Sequence, residues 1–348
     1  SVILQVAMPV PLPGVFDYLP GPGEAKGGSR VLAPFGTRKM IGVVIDIAAK
    51  SEMPWERLQS VEQVFDGGEP LLDQALIGLL RWCWQYYKHA PGEVVVSALP
   101  PALRAAKGSL PEPPLRYRLT GEGYKRLDQP PGRARVQFAM LEAMRDAPAL
   151  PEQLASIGSQ WRKTLSALAG QGWVDSEPQP PLQARPSPGP ELTAEQAAAV
   201  SAISSAPAGF SCHLLDGVTG SGKTEVYMCL LERVLAAGGQ ALVLVPEIGL
   251  TPQLLRRFTG RLGLEPAVIH SGLSAGERLA AWESVRTGRA PLLVGTRSAL
   301  FTPMPRLEMI ILDEEHDASF KQQDGFRYSA RDVAVKRAAD LGIPAVLG

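Results

Sequence analysis

Apolar and polar positions change rhythm twice along the chain. In the first hundred residues they alternate, loosely at Val2–Val10 and more strictly at Val31–Phe35 and Met40–Ile47, with Gly36 and Thr37 between the last two. Such alternation in β-branched residues predicts strands. Gln59–Phe65 predicts another strand. Leu71–His89 predicts a helix carrying Trp82, Trp84, Tyr86 and Tyr87, ahead of the apolar run Val94–Val96. Aromatics at helical spacing are first of all core. From Ala134 the period turns helical. Val136, Met140, Leu141 and Met144 recur at that spacing, Pro151–Ser156 and Ser159–Ala169 follow, and Trp173 opens a strand after Gly170-Gln171-Gly172. Three short helices and a strand suggest a winged helix-turn-helix, with a plain helical spacer as the alternative.

Beyond residue 192 the rhythm changes again. Phe210–Leu215, Ala241–Pro246, Ala267–His270, Leu292–Val294, Met309–Leu312 and Ala345–Leu347 are short apolar runs suited to buried strands. Helical segments lie between them; Lys223–Leu235 sets Val226, Leu230, Leu231 and Val234 on one side. This alternation predicts a mainly parallel sheet covered on both faces. Proline-rich stretches at Pro111–Pro114 and Pro178–Pro190 mark boundaries. The chain therefore divides into a β-rich module over 1–108, a winged helix over 115–177, a proline-rich linker over 178–191 and an α/β lobe over 192–348.

Composition narrows the picture. With 348 residues, two or three domains are expected. Basic and acidic residues balance at 35 each, so any nucleic-acid contact must come from local patches or stacking. Cys83, Cys212 and Cys229 form no C-x-x-C pair, which argues against a zinc site within this chain and fits a reducing cytoplasm. The start lacks a basic segment, and Pro9, Pro11 and Pro13 break its apolar run, so no signal peptide is read. No apolar stretch approaches membrane-spanning length, so no membrane partner is expected.

Gly217–Thr224 reads G-V-T-G-S-G-K-T between a strand and a helix, the loop that cradles nucleotide phosphates. Backbone N–H groups of Gly217, Thr219, Gly220, Ser221 and Gly222 would face the phosphates, and the helix N-terminus favours their charge. Lys223 would reach the β- and γ-phosphates, and the Thr224 hydroxyl would ligate Mg²⁺. Met309–His316 reads M-I-I-L-D-E-E-H: Asp313 would hold Mg²⁺ opposite Thr224, and Glu314 would polarise the attacking water. Lys223, Asp313 and Glu314 are thus the candidate catalytic groups for ATP hydrolysis coupled to mechanical work.

G-V-T-G-S-G-K-T-E, L-V-P-E-I-G-L-T-P-Q, H-S-G-L, G-T-R-S-A-L-F and D-E-E-H together resemble the superfamily-two DEAH-type DNA helicases. Their wording, with A-M-P-V-P-L-P-G-V-F-D-Y at Ala7–Tyr18, is similar to the bacterial primosomal replication-restart helicases. The resemblance implies a multidomain fold: a β-rich N-terminal DNA-binding module, a winged helix and a RecA-like lobe. It implies ATP and Mg²⁺ as cofactors and 3′-to-5′ unwinding of stalled forks. Gln196 would read the adenine, and His316 would couple the nucleotide and DNA sites. Thr251, Gln253, Thr296 and Arg297 would track single-stranded DNA. Phe320, Phe326 and Tyr328, in the aromatic-rich segment Asp317–Arg331, would sense it, since ring faces stack on bases at ~1–3 kcal/mol each.

Phe16, Asp17, Tyr18 and Gly36 would form a pocket for the nascent 3′ end, with Gln59 where the family leads one to expect a lysine. The implied partners are branched forks with a nascent 3′ end, single-stranded DNA, the single-stranded DNA-binding protein and primosome proteins. The implied location is the bacterial cytoplasm, at the nucleoid. The chain stops at Gly348 where the family continues into a second ATPase lobe, a paired-cysteine zinc module and a C-terminal domain. Zinc is therefore expected only beyond this chain, and hydrolysis by the chain alone is expected to be poor. A fork- and nucleotide-binding module is the alternative from another class. A restriction-type or RNA-directed translocase is disfavoured by F-D-Y and Gly36.

Overall fold

Strand alternation in the first hundred residues becomes a five-stranded antiparallel sheet. Its strands are β1 (Ile3–Ala7), β2 (Phe16–Tyr18), β3 (Arg30–Phe35), β4 (Arg38–Ala48) and β5 (Gln63–Val64), in the order β2-β1-β4-β3-β5. The structure, a computed structural model, describes residues 2–130, 134–218 and 220–348. The strand expected at Gln59–Phe65 is short because Gln59–Val61 pairs instead with Leu19: Leu19 N donates to Gln59 O at 2.9 Å and Val61 N to Leu19 O at 3.0 Å. α1 (Gln74–Tyr86) starts on Asp73, whose carboxylate accepts from Leu76 N at 2.7 Å, an N-cap. Of its aromatics, Trp82, Trp84 and Tyr87 pack partly against the core, and Tyr86 is exposed. The Val94–Val96 run lies inside a short helix, α2 (Pro91–Ser97), started by proline at its first position. Gly92 brings α2 down onto the first strand region, for a side-chain carbon there would overlap Met8 O.

Residues 112–180 form a separate compact unit. β6 (Leu115–Leu119) pairs antiparallel with β7 (Val174–Pro178), and between them run α3 (Gly121–Leu127), α4 (Arg135–Ala143), α5 (Pro151–Ile157) and α6 (Trp161–Gly170). Leu119, Leu127, Met140, Leu141, Leu154, Trp161, Leu165 and Leu168 close its core. β6 and α3 lie before the helical rhythm that marks this region in the sequence.

Residues 181–348 pack with 1–111 as the other unit. α7 (Ala194–Ser204) precedes a six-stranded parallel sheet of β8 (Ser211–Leu214), β9 (Gln240–Leu244), β10 (Ala267–Ile269), β11 (Leu292–Gly295), β12 (Leu307–Leu312) and β13 (Pro344–Leu347), ordered β10-β11-β9-β12-β13-β8. α8 (Lys223–Ala236), α9 (Pro252–Leu262), α10 (Ala275–Arg286) and α11 (Ala330–Leu341) join the strands. β9 and β11 are buried throughout, as a sheet covered on both faces requires. The proline-rich stretch is tied along this lobe: Leu182 N donates to Arg289 O at 2.8 Å and Arg185 N to Leu262 O at 2.9 Å. One apolar core runs from Leu76, Leu80 and Val95 to Trp282, Phe301 and Val333, and Trp282 Nε1 donates to Ala98 O at 3.1 Å. No helix among the described residues is long and apolar enough to cross a membrane.

Candidate functional site

The parallel sheet brings the two motifs together. β8 leads into the phosphate loop, α8 leaves it, and β12, two strands away, ends at Leu312, just before Asp313. Gly220 and Gly222 take φ of +88° and +86°, left-handed backbone that glycine adopts without strain. Gly222 caps α8, and a side-chain carbon there would overlap Gln196 Nε2. Thr219 lies outside the described residues. Lys223 Nζ donates to Gly217 O at 3.1 Å and lies 3.7 Å from Glu314 Oε1. Thr224, in the first turn of α8, is half-buried.

Asp313 extends the ladder, its N–H donating to Leu244 O at 2.9 Å. Its Oδ1 accepts from the Tyr227 hydroxyl at 3.0 Å. Burial lifts the Asp313 carboxyl above the usual carboxylate range. The Glu314 charge adds to this, while the Tyr227 hydrogen bond and the Lys223 charge pull it back. Burial likewise pushes the Tyr227 phenol up, helped by both carboxylates. A partly desolvated carboxylate and a helix-start hydroxyl are the hard oxygen donors that magnesium takes beside phosphate, so by chemistry Thr224 and Asp313 fit the ion. Glu314 adopts φ +52°, rare for a side-chain-bearing residue. Asp317 N donates to its carbonyl at 2.8 Å, and Glu315 N to Gly348 O at 2.9 Å, which fixes that turn. His316 is exposed, its Nε2 3.6 Å from Glu314 Oε2.

Gln196 supports the loop directly. Its Oε1 accepts from Thr193 N at 3.0 Å, and its Nε2 lies 3.4 and 3.3 Å from the carbonyls of Ser221 and Gly222. Both ends of the amide are thus engaged within the protein.

The residues assigned to single-stranded DNA separate into two groups. Thr251 and Gln253 are exposed at the start of α9, where the Thr251 hydroxyl accepts from Leu254 N at 3.2 Å. Thr296 is buried, and Arg297 donates to Gln322 Oε1 and Ser319 O, both at 2.6 Å. Arg297 therefore grips the aromatic-rich segment. Phe320, Phe326 and Tyr328 are buried in the core rather than displayed. Phe326 stacks on Tyr328 at 4.8 Å and meets Tyr87 edge-on at 5.9 Å, and Ser329 N donates to the Tyr87 hydroxyl at 3.3 Å.

In the N-terminal sheet, strand alternation divides F-D-Y. Tyr18 and Phe16 pack with the core, and the Tyr18 hydroxyl donates to Pro34 O at 2.8 Å. Asp17 faces the other way. Its Oδ1 accepts from Gln5 Nε2 at 3.4 Å and its Oδ2 from Ser51 Oγ at 2.5 Å. Phe16 meets Phe35 edge-on at 5.0 Å, next to Gly36, whose φ is +59° and whose side-chain position is open space. Gln59 is exposed. Sequence reasoning missed Tyr227, Gln5 and Ser51. Only Tyr227 carried a signal, being four residues after Lys223 on one helix face.

Comparison with known proteins follows these divisions. Residues 5–100 match the family described as the PriA 3′DNA-binding domain (3′BD), and residues 193–341 the DEAD/DEAH box helicase family. The Replication restart protein PriA of Haemophilus influenzae is 39% identical over 360 residues, covering 99% of this chain and 48% of that protein. The protein of the same name from Synechocystis is 32% identical, covering 100% of this chain and 52% of that one. That of Bacillus subtilis is 55% identical over 135 residues, 39% of this chain and 17% of its own length. The chain spans about half the length of the Haemophilus and Synechocystis relatives.

Proposed function

We propose that this chain, which belongs to the PriA family of replication restart proteins, is part of an ATP-driven 3′-to-5′ DNA helicase. It reads branched forks by a nascent 3′ end and starts primosome assembly. The observation that carries this reading is the meeting of Lys223 on α8 with Glu314 after β12, beside the half-buried Asp313. Lys223 and the loop N–H groups bind the triphosphate. Thr224 and Asp313 hold Mg²⁺, which neutralises phosphate charge when bound. Glu314 orients the attacking water, and His316 relays the state of the site towards DNA.

In the N-terminal module Asp17 accepts the 3′-hydroxyl from the face it shares with Gln5 and Ser51, while Phe16 and Gly36 belong to the pocket from the opposite face of the strand. Thr251, Gln253, Thr296 and Arg297 serve the single strand, Arg297 through the segment it grips. The 112–180 unit acts as a winged helix, with the exposed Arg162 and Lys163 of α6 available to phosphates. Single-stranded DNA-binding protein and primosome proteins are the protein partners, in the cytoplasm at the nucleoid.

Among the described residues the basic side chains within 4 Å of Glu314 are Lys223 and the His316 imidazole. An arginine aimed at the transferring phosphoryl group contributes about 10³–10⁵ in rate in related enzymes. The chain by itself therefore binds Mg-ATP and turns it over slowly. Steady-state hydrolysis with and without forked DNA tests this. Slow turnover that DNA barely stimulates is expected, and brisk DNA-stimulated turnover that Glu314→Gln removes would refute it.

A further inference from the structure

α8 presents two side chains, one turn apart, to two consecutive residues after β12. Lys223 addresses Glu314, and Tyr227 addresses Asp313. The Tyr227 side chain is almost fully buried, at 1% exposure, so its hydroxyl needs a partner. It finds one 86 residues away, in Asp313 Oδ1 at 3.0 Å. An ionised carboxylate only accepts, so the phenol is the donor. That bond occupies Oδ1 of Asp313 and restrains the rotation of the carboxylate.

The end of β13 is shaped to the same contact. A side-chain carbon at Gly348 would overlap the Tyr227 hydroxyl oxygen, and Gly348 O accepts from Glu315 N at 2.9 Å. Only a residue without a side chain lets β13 close on the D-E-E-H turn while the phenol stays in place. A phenylalanine would fill the apolar cavity equally well, so packing alone does not account for the hydroxyl.

We infer that Tyr227 is a positioning residue for the magnesium site: its hydroxyl fixes the orientation of the Asp313 carboxylate that would hold the ion. The inference rests on the nucleotide-site reading above. It concerns the metal-dependent part of nucleotide affinity, because the Tyr227 hydroxyl bonds Asp313.

Calorimetric titration of the chain with ATP, in magnesium and then in a chelator, tests it. In Tyr227→Phe the magnesium-dependent gain in affinity should shrink about tenfold, as for loss of a hydrogen bond to a charged group. Affinity in chelator and the thermal midpoint without metal should stay near wild type, which a merely structural role does not predict. Gly348→Ala should reproduce the loss by displacing the hydroxyl, and should add little in the Tyr227→Phe background. An unchanged magnesium-dependent gain in a folded Tyr227→Phe protein would overturn the inference and leave the nucleotide site standing. Failure of wild type to bind ATP more tightly with magnesium would overturn both.

Discussion

Asp313 and Asp17 are both carboxylates set by strands, and the protein holds them in opposite ways. Asp313 follows a central strand of a parallel sheet, is partly desolvated, and accepts from one neighbouring side chain, Tyr227. Asp17 lies on β2, an edge strand of the antiparallel sheet, and accepts from two, Gln5 and Ser51. The first sits in an environment that disfavours its charge, so a cation is the natural complement. The second is already satisfied by internal donors, so a DNA hydroxyl must share or displace them. In the proposed roles, Asp313 takes a cation and Asp17 exchanges an internal hydroxyl for an external one.

The largest break in that contrast is Lys223→Ala. It removes the only side-chain cation of the described loop, and the loss of triphosphate binding in a calorimetric titration should be close to complete. Fork binding by the N-terminal module should persist. Parallel loss of both would mean that the two sites are not separable.

Phe326→Ala strikes the packing between the two regions, since Phe326 touches Tyr87 and His89 of the N-terminal module as well as Phe301 and Tyr328. Truncating a buried phenylalanine costs about 3–5 kcal/mol, read as a fall in the urea midpoint. A stability change below about 1 kcal/mol would show that the ring is free to leave the core. Stacking on DNA without that cost would then become its main role.

Asp17→Ala addresses the satisfied carboxylate. A charge-assisted bond to the 3′-hydroxyl contributes ~1.5–3 kcal/mol, so forks with that end should bind at least about tenfold more weakly. Unaltered affinity in a fluorescence anisotropy titration would remove Asp17 from the pocket. Ser51→Ala is the smaller, sharper test. It frees Asp17 Oδ2, and the same forks should bind about threefold more tightly, a gain within the net range of one ordinary hydrogen bond. Weaker binding would mean that Ser51 supports the carboxylate instead of competing for it.

The same contrast explains what could be read from the chain. The phosphate loop and D-E-E-H are contiguous, and each takes its meaning from a strand beside it, so both sites and the parallel sheet were legible. F-D-Y was legible only in part: two-residue alternation puts Tyr18 with the core, where its hydroxyl bonds Pro34, and leaves Asp17 alone on the other face. The burial of the aromatic segment was not legible, because nothing local says that Arg297 and Tyr87 would draw its rings inward. Long-range polar contacts left no trace in periodicity. Arg30, buried, bonds Asp66 and the carbonyls of Leu103 and Gly108. Gln240, also buried, ties the carbonyls of Val285 and Ala290. Such groups are fixed by topology, which a linear pattern does not carry.

The proposed recognition of a nascent 3′ end runs through the Asp17 carboxylate, which Gln5 and Ser51 hold. Competition between forks that differ only at the branch, one ending in a 3′-hydroxyl and the other in a 3′-phosphate, tests it most directly. A hydroxyl donates to Asp17, whereas a phosphate is repelled by it, so the account predicts clear preference for the 3′-hydroxyl fork. Equal binding of the two, or preference for the phosphate, would contradict it.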